Sequence, residues 1–303
     1  MAEYSSVNAY LSVKPYLFSV AYRMTGSASD AEDLIQDAWV RYIDAGSPAV
    51  DSIRAYLTTI VSRLDLDYLK SARVEREQYA GTWMPEPVLT RDAVPGPAER
   101  VEQREAVSIA FLMLLEQLGP EQRVVYVLRA GFELPFEEIA AHVEKSAAAC
   151  RQLFRRAVSR LDAERQPAIA PGGEHQQIVA RFLAAFELGN MVGIVALLAD
   201  EAVLIGDGGP NRLSIRRTVV GADRVARGLS GWATRGDQAN PLVFELADIN
   251  GATGIVHRAE GADDQVVTFD IRDGRIFAVR ATRNLDKLRH IDDALRAPSD
   301  AHF

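Results

Sequence analysis

Two hydrophobic periods follow one another along this chain and cannot share a single core. Through about residue 165, apolar residues recur at helical spacing, as in SVKPYLFSVAYRMTG, DAEDLIQDAWVRYIDAG and RAYLTTIVSRLDLDYLKSAR. Beyond about residue 200, the pattern becomes short runs rich in Val, Ile and Phe: EAVLIGD, LSIRRTVV, PLVFELADI, TGIVHRA, QVVTFDIRDG and RIFAVRAT. Several alternate apolar with polar, as strands do. A helical stripe and a pleated face bury themselves against different partners, so the chain must build more than one packed layer system. Its 303 residues, 48% hydrophobic, supply material for about two domains.

Breakers divide the chain. Gly26-Ser27 and Gly46-Ser47-Pro48 separate the first three helices. Residues 80–105 form a linker opened by AGTWMPEPVLTRDAVPGPA, whose Pro85, Pro87, Pro95 and Pro97 block both helix and central strand. QPAIAPGG at 166–173 is a second linker. The reading is an all-α segment over 1–79, a second over 106–165, and an α+β domain with a mostly antiparallel curved sheet over 174–303. A helix is expected from Glu174 to about Ala199 and another in GADRVARGLSGWAT.

The exclusions are as useful. No apolar run approaches the roughly 18 residues that span a bilayer, and MAEYSSVNAYLSVK has no basic-then-apolar leader pattern, so the protein is expected in the cytoplasm. The single cysteine, Cys150, excludes an internal disulfide and a zinc site of several thiolates. Its helical-wheel position points inward, the place of a small buried hydrophobe rather than of a redox sensor. The net charge is −8, with −5 in residues 1–165 and −3 in the remainder. Any nucleic-acid contact must therefore be local.

The sharpest local signal is LGPEQRVVYVLRAGFELPFEEIAAHVEKSAAACRQLFRRAVSRL. Gly119-Pro120 opens a helix, Gly131 ends it, Pro135 starts a short one, and Ser146 is suited to cap a third. This is a helix-turn-helix layout. From Lys145 to Arg160 there are five basic residues and no acidic one. Cys150, Leu153, Ala157 and Leu161 share the inward face. Ala148, Gln152, Arg155 and Ser159 lie opposite, with Arg151 and Arg156 on the flanks. Together with Ser146 at the cap, Ala148, Arg151, Gln152, Arg155 and Arg156 are expected to meet a major groove, Arg151 and Gln152 as base readers and Arg155 and Arg156 as phosphate or base contacts.

Two further helices carry candidate surfaces. In DAEDLIQDAWVRY, Asp33 and Asp37 lie four apart with Gln36 beside them, and Leu34 and Trp39 adjoin: a docking face for a basic partner, or simply a solvated one. The next helix carries Arg54, Arg63, Lys70 and Arg73 with Tyr56 and Tyr68. Cations interleaved with aromatic rings suit unstacked bases, although Asp65 and Asp67 dilute the charge.

Together these segments resemble the extracytoplasmic-function sigma factors of bacterial RNA polymerase. The acidic helix is similar to the polymerase-docking helix of sigma domain two, the Arg/Tyr helix to its −10-recognition and melting helix, and the helix-turn-helix to sigma domain four, which reads the −35 element. The last segment resembles the subgroup of actinobacterial sigma-J type, which carries a fused SnoaL-like domain, a cone related to nuclear transport factor two. That subgroup has a Trp-Leu-Pro-Glu-Pro linker motif, matched by Trp83-Met84-Pro85-Glu86-Pro87. An Asp-Gly-Gly-Gly-Lys motif is partly matched by Asp207-Gly208-Gly209-Pro210-Asn211, and an Asn-Pro-Asp-Lys-Leu motif by Asn284-Leu285-Asp286-Lys287-Leu288. Pro210, Asn211 and Leu285 depart from the pattern.

The resemblance implies a transcription initiation factor that works on core RNA polymerase and promoter DNA. It implies no cofactor and no catalysis, and a cone that replaces a separate anti-sigma partner and packs on domain two and the linker. Trp83 is the expected anchor and residues 284–303 a latch. A cone of this kind is open to a small ligand, and Asp207, His257, Asp270 and Arg280 are its candidate polar groups. The rival readings are a one-component helix-turn-helix regulator with a ligand-binding cone, and a SnoaL-like enzyme with a DNA-binding appendage.

Overall fold

The computed structural model describes residues 2–48, 50–77, 79, 81–94, 104–164, 172–210, 214–215, 217–233, 243–258 and 265–291. The chain separates into two compact units, Met1–Gln78 with Arg91–Arg165, and Tyr79–Thr90 with Gln166–Phe303.

In the first unit, α1 (Ala2–Thr25), α2 (Ala28–Asp44) and α3 (Ile53–Glu77) pack side by side. Leu17, Val20, Ala21 and Met24 of α1 meet Ala31, Ile35 and Ala38 of α2 and Leu57, Val61 and Leu64 of α3 in a dry core. Gly26, at φ 68°, turns the chain, and Ser27 caps α2 by accepting the Asp30 amide at 3.2 Å. A single turn, α4 (Thr90–Ala93), forms inside the Pro-rich stretch, where the sequence suggests neither helix nor strand. It fits between Pro87 and Pro95 because its residues need no amide from either proline.

Then follow α5 (Ile109–Leu115), capped by Ser108, and α6 (Pro120–Tyr126), which opens on proline. α6 widens into a π-turn over Val127–Gly131. α7 (Phe136–Val143) ends on Glu144 at φ 54°, and α8 (Ala147–Glu164) follows at once.

The second unit contains α9 (Gly172–Glu187), α10 (Met191–Leu197) and α11 (Ala222–Ala233) with six strands. The strands are β1 (Leu198–Asp207), β2 (Val219–Val220), β3 (Val243–Ile249), β4 (Ala252–Arg258), β5 (Gln265–Arg272) and β6 (Arg275–Thr282). The single helix expected over 174–199 is two: Gly189, at φ 62°, breaks it, and Asn190 caps α10 by accepting the Gly193 amide at 2.9 Å.

The sheet order is β2-β1-β6-β5-β4-β3, antiparallel throughout except for the parallel β1–β6 pair. Ile178, Phe182, Phe186, Leu229, Ile255, Val267 and Phe269 fill the layer between helices and sheet. The neighbouring residues Val256 and Val266 face the other way, into a second cluster with Leu89, Ile249, Leu288 and Ile291. β5 thus carries a buried valine on each face, Val266 on one and Val267 on the other, because both faces are covered there.

Phe182 is 3% exposed and meets the Phe269 ring edge-on at 5.0 Å. Phe182→Ala is expected to lower the stability of the second unit by about 3–5 kcal/mol, read from its urea-unfolding transition.

Candidate nucleic-acid interface and linker clamp

The turn before α8 is built by Glu144 in the left-handed region, which brings the Lys145 amide back to the Ala140 carbonyl at 3.1 Å. Ser146 then caps α8, its Oγ accepting the Ala149 amide at 3.1 Å. Cys150, Leu153, Ala157 and Leu161 are buried, and Ala148, Arg151, Gln152, Arg155 and Arg156 are exposed, the faces the wheel predicts. Burial raises the Cys150 thiol above its ordinary value, which suits a packing role. Arg151 is engaged within the motif, 2.5 Å from Glu137 and over the Phe136 ring. No carboxylate among the described residues pairs with Arg155 or Arg156.

On α2, Asp33, Gln36 and Asp37 are exposed, Leu34 is half-buried, and Ile35 and Ala38 face the core. Trp39 is stacked between Tyr10 at 4.4 Å and Tyr42 at 5.4 Å. The outer face is therefore acidic with a rigid aromatic edge, and Val40, 54% exposed, extends it.

The basic set on α3 divides. Tyr56, Arg63 and Lys70 recur every seven residues on one side, while Arg54 lies over the Tyr16 ring and Tyr68 donates its hydroxyl to Asp30 at 2.6 Å. The side chain of Arg73 lies outside the described residues. Arg63 donates to the Ala141 carbonyl of α7 at 3.1 Å, and Thr59 meets His142 Nε2 at 3.0 Å.

Asp65 does not dilute the surface charge as its sequence position suggests. It is fully buried, and burial holds its carboxyl well above the usual range against the opposing pull of Arg123. Arg123, itself 2% exposed, pairs with Glu116, which also binds Arg76.

In the second unit the linker is a buried part of the fold. Residues 84–90 are buried, and Asp207, at the end of β1 and 1% exposed, organises them. Asp207 Oδ2 accepts the Met84 amide at 2.9 Å and Lys287 Nζ at 2.7 Å. Oδ1 accepts the Tyr79 hydroxyl at 2.5 Å and the Gly209 amide at 3.1 Å. Lys287 also donates to the Met84 carbonyl at 2.6 Å, with its ammonium 4.4 Å from the Trp83 ring centre and 4.9 Å from that of Tyr79. Burial, and then Asp207, push the Tyr79 phenol far above its ordinary range.

Gly209 is obligatory, because its φ is 62° and a Cβ there would lie 2.7 Å from the Asn284 side chain. Asn284 in turn donates to the Tyr79 oxygen at 3.1 Å and accepts the Asp286 amide at 3.2 Å. Farther along, Val88 exchanges hydrogen bonds with Asn250, both at 3.0 Å, and Thr90 donates to Asp248 at 2.8 Å.

The three motifs singled out in the sequence therefore converge. Trp83, Pro85, Glu86 and Pro87 come together with Asp207, Gly208 and Gly209 and with Asn284, Lys287 and Leu288, while Asp286 stays exposed. Leu285 replaces the pattern's proline at an exposed position, where nothing packs against the missing ring. Asn211 lies outside the described residues. Tyr79, Asp248 and Asn250 join the clamp without a sequence signal, since a lone polar residue in a loop reveals no partner.

Comparison with known proteins agrees along the chain. Residues 9–74 match the family profile Sigma-70 region 2, and residues 108–161 match Sigma-70, region 4. The ECF RNA polymerase sigma factor SigJ of Mycobacterium tuberculosis (strain H37Rv) is 37% identical over 294 residues, 93% of this chain and 92% of the relative. The chain belongs to the extracytoplasmic-function sigma factors. The probable sigma factor SigI of Mycobacterium tuberculosis is 34% identical over 230 residues, 74% of this chain and 76% of the relative. The crystal structure of Mycobacterium tuberculosis SigJ superposes with a TM-score of 0.73 at 34% identity, covering 94% of this chain and 98% of that one. This sigma factor directs RNA polymerase to promoters, with region 2 and region 4 as its polymerase- and DNA-binding modules.

The catalytic candidates of the sigma factor's last domain disperse. Asp270 is held by Arg280 through two hydrogen bonds of 2.6 and 2.8 Å, and Asp207 is committed to Lys287. His257 packs 4.9 Å from the Phe244 ring, opposite Gln265 and well along the sheet from Asp270. Among the described residues no group of His, Cys, Asp and Glu is arranged to hold a metal. No helix among them is long and apolar enough to cross a membrane. Of the tail, residues 292–303 lie outside the described residues, but Leu288 and Ile291 are buried against Leu89.

Two predictions follow from these geometries. Lys287→Ala strands the Asp207 carboxylate in a buried site and is expected to cost the clamp about 3–5 kcal/mol, seen as accelerated hydrogen exchange at the Met84 and Val88 amides. The second concerns His142. Burial first, and then Arg63, lower its imidazole from 6.5 to about 4. The unfolded chain then binds the extra proton across that window, so the first unit loses stability as pH falls from about 6.5 to about 4. A falling thermal midpoint over this range, flattened in His142→Gln, is the expected result.

Proposed function

We propose that the second unit of this sigma factor is a built-in regulator that acts by holding the linker, and that it restrains promoter output. The observation that carries this reading is the buried Asp207–Lys287 pair, which closes on both the amide and the carbonyl of Met84. The linker joins region 2 to region 4 in the chain. Burying one end of it limits the arrangements that the two modules can adopt on a promoter.

Within the first unit, the core-polymerase contact is assigned to Asp33, Leu34, Gln36, Asp37 and Trp39, supported by the exposed acidic face of α2. The −10 contact is assigned to Tyr56, Arg63 and Lys70, with Arg54, Tyr68 and Arg73 flanking them. The −35 contact is assigned to the α8 face of Ala148, Arg151, Gln152, Arg155 and Arg156, with Ser146 at its cap. The chain performs no covalent chemistry and works in the cytoplasm, where its polymerase is. The dispersal of Asp207, His257 and Asp270 into separate structural contacts supports the first point.

The test is run-off transcription with core polymerase, comparing the full chain with a form lacking residues 284–303, which removes Asn284 and Lys287 together. The truncated form is expected to yield several-fold more transcript while retaining the helical signal of the first unit. Equal or lower output from a folded truncated form overturns the restraint.

A further inference from the structure

The first unit buries two arginines in opposite ways. Arg123 is answered by Glu116. Arg23, near the end of α1 and 4% exposed, has no carboxylate within ion-pair reach among the described residues. Its Nε has no hydrogen-bond partner, its Nη1 reaches the Gly131 carbonyl only at 3.5 Å, and its guanidinium rests 4.9 Å from the Phe132 ring centre. Burial lowers the guanidinium to about 10, which leaves it cationic at neutral pH. A buried charge without a counter-charge is rare, because desolvation of an ion costs several kcal/mol unless something repays it.

Beside this cation lies a cavity of about 210 Å³. Phe111, Leu115 and Tyr126 form its apolar lining, and Gly131 stands beside Arg23. Val127, Ala130 and Gly131 of the π-turn line the cavity, and such single wide turns are frequent at functional sites. Gly131 is suited to the place: a Cβ there would lie 3.1 Å from Arg23 Nη1. A wall of aromatic and aliphatic groups with a small number of polar ones, here Arg23 and Glu105, is the ordinary composition of a small-ligand site. Glu105 also has an interaction of its own.

We propose that this cavity binds a small monocarboxylate with an aromatic or branched apolar body, its carboxylate on Arg23 and its body against Phe111, Leu115 and Tyr126. Arg23 belongs to region 2, and the π-turn to region 4. A guest therefore bridges the two modules and stabilises their mutual packing in proportion to its occupancy. This site is independent of the linker clamp.

The test is fluorine NMR of para-fluorobenzoate with the full-length protein, and para-fluorobenzyl alcohol as the neutral probe of the same shape. The benzoate resonance is expected to broaden on adding protein and to sharpen again when unlabelled benzoate is added, while the alcohol is unaffected at the same millimolar concentration. Arg23→Gln is expected to weaken benzoate binding at least about tenfold, the usual loss of a charge-assisted pair. Ala130→Leu narrows the cavity from an exposed position, tests the site without touching the arginine, and is expected to abolish binding. Absence of benzoate binding, equal binding of both probes, or undiminished binding in a folded Arg23→Gln or Ala130→Leu chain overturns the proposal.

Discussion

A carboxylate and an ammonium taken out of water together lose several kcal/mol of hydration each before they attract one another. Asp207 and Lys287 recover that loss because neither is left with idle valences. The carboxylate accepts from two backbone amides, a phenol and the ammonium. The ammonium, besides that bond, reaches a backbone carbonyl and two aromatic faces. Everything else in the second unit that concerns the linker follows from this arrangement. Met84 is fixed at both its polar backbone atoms, which lays Pro85 to Leu89 along the sheet and lets Leu89 bridge to Ile249. Val256 and Val266 on the outer face of β4 and β5 can then be apolar, since Leu89, Leu288 and Ile291 cover them.

The first unit is held differently. Its region 2 and region 4 elements meet largely through polar and charged groups, Arg76 on Glu116, Arg123 on the Arg23 carbonyl, Arg63 on the Ala141 carbonyl and Thr59 on His142, with Tyr16 against Phe132 as an aromatic contact. Such contacts confer orientation more than net stability, because most of their gain is offset by desolvation. An association of this kind separates more readily than the Leu, Ile and Ala contacts inside α1–α3. That property suits two modules that must engage polymerase and promoter DNA together.

The amphipathic elements were legible from the amino-acid order. On α8 the buried and exposed positions fall where a 3.6-residue period puts them, and the cap stands at Ser146, the residue suited to it. What a period cannot reveal is a long-range partner. Asp65 reads as one more surface carboxylate, because neither its burial nor the nearby charge of Arg123, far along the chain, leaves a local signal. The pairing of Asp270 with Arg280 follows from the β5–β6 register, in which Asp270 stands opposite Ala278 and Arg280 is two residues on. The prolines at 85 and 87 announced an extended path, but not that this path would be interior. The break at Gly189-Asn190 was missed because apolar spacing continues through it.

The linker and the groups that grip it belong to one polypeptide, and that sets how the grip behaves in a cell. A separate inhibitor must be synthesised in proportion to its target and is lost by dilution or degradation. Here the local concentration of the clamp at its target is a constant of the chain, the same in every molecule at every expression level. No shift in protein abundance can therefore relieve it.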